Sequence, residues 1–311
     1  MTPSAGEFEY IDWLRRRTPP DSRILIGPGD DSAAIHLRSD TPCLVTTDML
    51  MDGTCFRLAE LGETGPRAVG RKAMAVNLSD IAAMAGRPVA AVASVALPRQ
   101  GGRHLAEELY LGLRDMADEF QTAIIGGDTN SWDGPLVISV TVLGEATGRG
   151  PVRRSGARPG DWLLVSGPLG GSIRGKHLNF KPRVQEAIQL HDLVLLHAMI
   201  DISDGLAADV NHLRVESGCG AVLDADRIPI SADARAMQDD KSPLDHALSD
   251  GEDFELVFAL AKEDAQRLLQ AQPVSGITLV HVGECIEQGL WIEQAGKRQP
   301  LTPRGYEHSI F

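Results

Sequence analysis

Apolar stretches of strand length alternate with segments of helical periodicity along most of the chain. Residues 41–45 and 88–97 read as strands. Between them the spacing predicts a helix over 66–84, with Pro66 suited to its first turn and Gly86 to its stop. A second helix is predicted over 103–120, because Leu105, Leu109, Leu113 and Met116 recur at three- and four-residue spacing. Residues 123–125 and 136–143 read as further strands. The segment 148–160, rich in Gly, Pro and Arg, then interrupts the pattern. Beyond it the alternation resumes: strand 162–165, helices 184–199 and 204–216, strands 221–223 and 254–260, helix 262–269 and strand 277–282. The pattern predicts a mixed α/β (α+β) chain in two domains, 1–148 and 149–311, without short-period repeats.

Length agrees, since 311 residues suggest about two domains of ~150 residues. With 43% hydrophobic and 23% charged residues the composition is that of a globular protein. A net charge of −13 argues against a nucleic-acid binder, which needs a basic footprint, and against adhesion to an anionic membrane. Glycine, 32 of 311 residues against a usual ~7%, points to close backbone approaches, and 5% aromatics leave little for a stacking surface. Cys43, Cys55, Cys219 and Cys285 form no CxxC pair, which fits a reducing cytoplasm. No apolar run approaches the ~20 residues of a membrane span, and residues 1–10 lack the apolar region of a signal peptide. A cytoplasmic protein without membrane partners is expected.

Candidate chemistry lies in the aspartates. Gly29-Asp30-Asp31, Thr46-Thr47-Asp48, Gly126-Gly127-Asp128-Thr129 and Asp201-Ile202-Ser203-Asp204-Gly205 each end an apolar run. Strand ends are where α/β folds usually build ligand sites. Carboxylates and hydroxyls are the hard oxygen ligands Mg²⁺ takes, and neighbouring glycines let backbone N–H groups approach phosphate. Asp beside Gly or Ser is also ordinary turn and cap chemistry, and Ser203 or Asp204 suits the cap of the helix that follows. Asp80 differs: it shares a helical face with Ala73, Asn77 and Met84, where a carboxylate needs a partner. Caps alone do not account for four such clusters and Asp80 together.

Other motifs carry less. Residues 170–177 fit G-x-x-x-x-G-K, but His177 replaces the hydroxyl residue that holds Mg²⁺ in a P-loop, so a flexible glycine-rich loop is expected there. Ser166 lacks the GxSxG elbow, and His191 and His197 are expected on a helix surface. Cys55 reads as a packing residue rather than a nucleophile.

Taken in order, Gly29-Asp30-Asp31, Thr46-Thr47-Asp48, the stretch from Lys72 to Asp80 (KAMAVNLSD), Gly126-Gly127-Asp128-Thr129, Arg154-Ser155-Gly156, Asp201-Ile202-Ser203-Asp204-Gly205-Leu206 and Gly251-Glu252-Asp253-Phe254-Glu255-Leu256 make the chain resemble the thiamine-monophosphate kinases. That family belongs to the superfamily of aminoimidazole ribonucleotide synthetase and selenophosphate synthetase. The resemblance runs from about Gly6 to Tyr306. It implies a homodimer paired through the sheets of the N-terminal domains, with ATP bound near the interface. It further implies several Mg²⁺ ions held by Asp31, Thr46, Thr47, Asp48, Asp80, Asp128, Asp201 and Asp204. ATP would meet Tyr110, Gly127, Asp128, Arg154 and Ser203, and thiamine monophosphate would lie by Cys55, Glu252 and Tyr306. Three departures stand out: Cys55 where the family typically has His, a short stretch between Gly171 and Asp201, and Asp250 where Gly is common.

The implied reaction is direct in-line phosphoryl transfer from ATP to thiamine monophosphate, with no acid/base or covalent residue. The alternatives are another ATP-dependent enzyme of the superfamily with a different acceptor, or a non-catalytic nucleotide- or metal-binding regulator. The absence of any Cys in the first forty residues disfavours selenophosphate synthesis, whose nucleophile would be expected there.

Overall fold

A computed structural model describes residues 24–26, 31–35, 41–99 and 102–306. The segment 27–30 with Asp30, and the N-terminal residues 1–10, lie outside the described residues. The first half holds β1 (Ile24–Ile26), β2 (Ala33–Ile35), β3 (Cys43–Met51), α1 (Gly65–Ala83), β4 (Arg87–Pro98), α2 (Gly102–Glu119), β5 (Ala123–Trp132) and β6 (Val137–Glu145). Among the described residues its six strands run in the order β1-β2-β3-β6-β4-β5, antiparallel except for the β4–β5 pair. The second half holds β7 (Trp162–Val165), α3 (Lys176–Asn179), α4 (Val184–Leu193), β8 (Leu196–Asp201), α5 (Leu206–Ser217), β9 (Gly220–Asp224), α6 (Ala232–Ala236), α7 (Pro243–Ser249), β10 (Leu256–Leu260), α8 (Lys262–Ala271), β11 (Val280–Ile286), β12 (Leu290–Gln294) and β13 (Lys297–Pro300). Its sheet is ordered β13-β12-β9-β11-β7-β10-β8, and only β9 and β12 pair in parallel. The fold is mixed α/β, with no helix among the described residues long and apolar enough to cross a membrane.

Helix α1 is the centrepiece. It packs on β3, β6 and α2 of the first half and on α3, α4 and β8 of the second. A helix wedged between two layers is buried on nearly every side, which its run of small residues permits. Where α1 crosses α2 the backbones touch. A Cβ on Gly70 would stand 2.0 Å from the Leu109 carbonyl oxygen, and one on Gly112 would stand 1.9 Å from that of Arg67. The glycine excess is used here for close approach.

Several boundaries differ from the sequence reading. The strand expected over 41–45 continues to Met51, so Thr46, Thr47 and Asp48 sit within β3 rather than beyond its end. The strand expected over 123–125 likewise continues to Trp132 and contains Gly126 to Thr129. The helix expected over 184–199 stops at Leu193, and Leu196–Asp201 forms β8 instead. A continuous apolar run buried on both faces carries no period that separates helix from strand. His197 is therefore on a strand, its Nδ1 2.8 Å from Asp161, and His191 is buried in α4 rather than on its surface. The left-handed residue that ends α1 is Ala85, at φ +50°, not Gly86. Strands β1, β2, β12 and β13 and helices α3, α6 and α7 have no counterpart in the sequence pattern read above.

Candidate active site

A cleft of about 1010 Å³ is lined by residues of both halves. Asp31 enters it just before β2, Asp80 from the last turn of α1, and Asp201 from the end of β8. Thr46 and Asp48, two apart on β3, face the same way. One carboxylate oxygen from each of Asp31, Asp80 and Asp201 lies within 4.8 Å of the other two. Thr46 Oγ1 donates to Asp80, Ser79 Oγ donates to Asp201 at 2.6 Å, and the Arg154 guanidinium forks onto both oxygens of Asp31 at 2.9 Å. Thr47 borders the cleft too, but its hydroxyl donates to the Val140 carbonyl at 3.1 Å.

This crowding shifts protons. Burial, then the charges of Asp48, Asp201 and Asp31, holds Asp80 well above the usual carboxylate range despite Thr46. Burial and Asp31 do the same to Asp201, and Ser79 and Arg154 oppose them incompletely. Burial also raises Asp48, against a hydrogen bond with Asp80. Converging buried carboxylates that resist ionisation are a donor set that fits a hard divalent cation, for which oxygen ligands are preferred.

A second group stands beside the first. Asp204, Asp209 and His212 each bring one ligand atom within 4.8 Å of the others. Asp209 also accepts from the N–H groups of Asp204 and Gly205, so it, and neither Ser203 nor Asp204, anchors the start of α5. Burial, then Asp204 and Asp201, pushes Asp209 well up. Burial and Arg154 push His212 down to about 4, which leaves a neutral imidazole at neutral pH. Sequence reasoning missed both residues; their one-turn spacing after the Asp204-Gly205 turn was the available signal.

Cys55, Ser203, Glu252 and Tyr306 line the same cleft. The Tyr306 N–H donates to the Asp204 carbonyl at 3.0 Å, and the Glu252 N–H to that of Ser203 at 2.7 Å. Burial raises the Cys55 thiol, so it is no ready nucleophile. Asp250 accepts from the Gly171 N–H and pairs with Lys241 and His246. Tyr110, Gly127 and Asp128 do not line the cleft. They are exposed on α2 and on the edge strand β5, where Asp128 stands opposite Ser94.

The remaining motifs resolve into structure. Gly170 and Gly171, which a P-loop would turn toward phosphate, give their N–H groups to Asp253 and Asp250. The loop is thus tied down by the protein's own carboxylates, contrary to the flexibility expected. Ser166 donates to Glu255 at 2.7 Å and accepts from the Leu256 N–H, a wholly structural position.

Comparison with known proteins agrees with this geometry. Residues 29–146 match the AIR synthase related protein N-terminal domain, and residues 158–291 its C-terminal domain. A thiamine-monophosphate kinase of Rhodopirellula baltica is 40% identical over 97% of this chain and 97% of its own length. The chain belongs to the thiamine-monophosphate kinase family. Within that family the structure of AaThiL complexed with AMPPCP and TMP superposes with a TM-score of 0.83, at 29% identity over 99% of both chains. The thiamine-monophosphate kinase from Stenotrophomonas maltophilia K279a gives a TM-score of 0.72, at 34% identity over 94% of this chain and 97% of its own. The cleft of this family member therefore combines, in one lining, a carboxylate cluster with Cys55, Glu252 and Tyr306.

Proposed function

We propose that the protein transfers the γ-phosphoryl group of ATP to thiamine monophosphate, giving thiamine diphosphate and ADP, by direct in-line displacement. The observation that carries this reading is the convergence of Asp31, Asp80 and Asp201 from three separate elements at one cleft. The family relatives named for this activity support it. Asp31, Thr46, Thr47, Asp48, Asp80, Asp128, Asp201 and Asp204 would hold several Mg²⁺ ions. Bound there, the ions would screen the repulsion between two phosphate anions and stabilise charge on the transferring group.

The chain's own residues position and bind. Arg154, paired with Asp31 in the structure, and Ser203 are assigned to ATP together with Tyr110, Gly127 and Asp128. Cys55, Glu252 and Tyr306 are assigned to the acceptor. A phosphate monoester with a second pKa near ~6 is largely a dianion at pH 7 and needs no general base. The raised, protonated thiol of Cys55 is consistent with that.

Residues 1–148 are proposed as the ATP, metal and pairing domain and 149–311 as the second domain, in a cytoplasmic homodimer. Support for pairing comes from β5, an edge strand exposed at almost every position, and from Met49, Val92, Ile125 and Trp132, which leave an apolar face of the first sheet uncovered. Pairing there would bring a second copy against Gly127 and Asp128.

ADP release measured with and without thiamine monophosphate tests the reading. Acceptor-dependent release in the presence of Mg²⁺ is expected. Tight ATP binding without turnover on this acceptor would refute it.

A further inference from the structure

Lys72 is the largest fully buried side chain of the described residues, at 0% exposure in the middle of α1. Its ammonium donates to the Cys55 carbonyl at 2.8 Å and forms an ion pair with Glu252. Lysine is almost never fully buried unless paired, and a buried ion pair adds little net stability over apolar packing. Stability therefore does not account for the arrangement. Its two partners do: Cys55 and Glu252 both line the cleft, yet they come from opposite halves of the fold.

The backbone around Glu252 points the same way. Glu252 has φ +54° and Phe254 φ +49°, left-handed conformations that strain an L-residue. Such strain persists where the surroundings over-determine it. The Glu252 N–H is held by the Ser203 carbonyl, the Gly251 carbonyl by the Ser172 hydroxyl at 2.6 Å, and the Asp253 carboxylate by the Gly170 N–H. These bonds fix the main chain, and the ion pair with Lys72 directs the Glu252 side chain.

We propose that Lys72 is a positioning residue for the acceptor. It fixes the Glu252 carboxylate against the turn at residues 51–56, so that the cationic and N–H donor parts of thiamine monophosphate meet a carboxylate of set orientation. Lys72 acts through Glu252 and does not touch the acceptor, because its side chain has no exposed surface. This inference rests on the kinase reading.

Lys72→Met, of similar length and apolar, is the test. Glu252 has a side chain 34% exposed and can be solvated once the ammonium is gone. The KM for thiamine monophosphate should rise by about tenfold or more, and the KM for ATP should stay within about twofold. In a Glu252→Gln background, Lys72→Met should add less than about threefold, since both act through one carboxylate. Amide hydrogen exchange over 51–58 should quicken in Lys72→Met and stay unchanged over α8, a readout that needs no turnover.

Equal rises in both KM values, full additivity with Glu252→Gln, or unchanged protection of 51–58 would each overturn the inference. If Lys72→Met does not fold, the double variant leaves neither charge orphaned and is compared with Glu252→Gln directly. An equal acceptor KM then supports the inference, and a further large rise overturns it. Wild-type protein without acceptor-dependent ADP release refutes the kinase reading, and with it the acceptor role, even where hydrogen exchange shows the clamp.

Discussion

Replacing Asp80 with Asn removes one of three carboxylates whose oxygens lie within 4.8 Å of one another. Two unit charges at that separation repel by roughly 3.5 kcal/mol at an effective dielectric of ~20. Arg154 offsets part of this through Asp31, and burial first, with this repulsion after it, makes the native state keep a proton on Asp80, well above the usual range. The sign follows from linkage. A carboxyl whose native pKa exceeds its unfolded value of 3.8 contributes stability that is complete below that value. The contribution fades as pH rises through the native pKa. At neutral pH in a chelator, Asp80→Asn should therefore be more stable than wild type, by ~1–3 kcal/mol after the Arg154 offset. Asn keeps an acceptor for the Thr46 hydroxyl, and its amide can donate to Asp48, which already shares a hydrogen bond with Asp80. Thermal unfolding reads the difference, at roughly 2–4 °C per kcal/mol for a domain of this size. Mg²⁺ should then raise the melting temperature of wild type much more than that of the variant, and turnover of the variant should fall by orders of magnitude. A variant that melts below wild type in chelator, or that responds equally to Mg²⁺, would refute the reasoning.

Three further outcomes are expected. Arg154→Ala should raise the KM for ATP and destabilise the fold by ~3 kcal/mol, because it leaves the Asp31 carboxylate buried and unpaired from its guanidinium; an unchanged KM removes Arg154 from the nucleotide site. Gly70→Ala should cost ~1–3 kcal/mol, since its Cβ would meet the Leu109 carbonyl oxygen at 2.0 Å; an unshifted urea midpoint would show that α1 and α2 can separate freely. Burial pushes Asp253 up to about 7, against Lys176 and the Gly170 N–H, so its contribution is complete below 3.8 and lost as pH rises through about 7. Asp253→Asn should flatten that dependence, by up to ~4 kcal/mol at the alkaline end; parallel urea-stability profiles for variant and wild type over about pH 4 to 8 would contradict it.

Much of the fold was legible because its signals are local. The periodicity of Leu105, Leu109, Leu113 and Met116 marks α2, and Pro66 marks the start of α1 within one residue. Strand ends were not legible where polar residues continue a strand for the sake of a site. Thr46 and Asp48 interrupt an apolar run although β3 continues beneath them. The stretch from Val194 to Ile200 carried no period because its strand is buried on both faces. Within the site, Asp31, Asp80 and Asp201 were visible as chemistry, but only the packing of α1 against β8 shows that they converge. Asp209 was hidden because it reads as an ordinary polar residue of a helix, and Lys72, although it opens the KAMAVNLSD stretch, gave no sign there of its ion pair with Glu252.

The left-handed pair Glu252 and Phe254 has a consequence for how this chain can drift. Glycine would relax the backbone at both positions, yet at 254 it would empty a buried ring position and at 252 it would leave the Lys72 ammonium buried without its carboxylate. The side chains present argue for a different constraint. Phe254 stacks on Phe180 with ring centroids 4.0 Å apart, and Glu252 answers to Lys72. A screen that rewards heat resistance without regard to activity would keep Phe254 and would exchange Lys72 and Glu252 only as a pair. Descendants that had exchanged that pair for an apolar residue and glycine would test, by what they can no longer phosphorylate, whether the acceptor is read there.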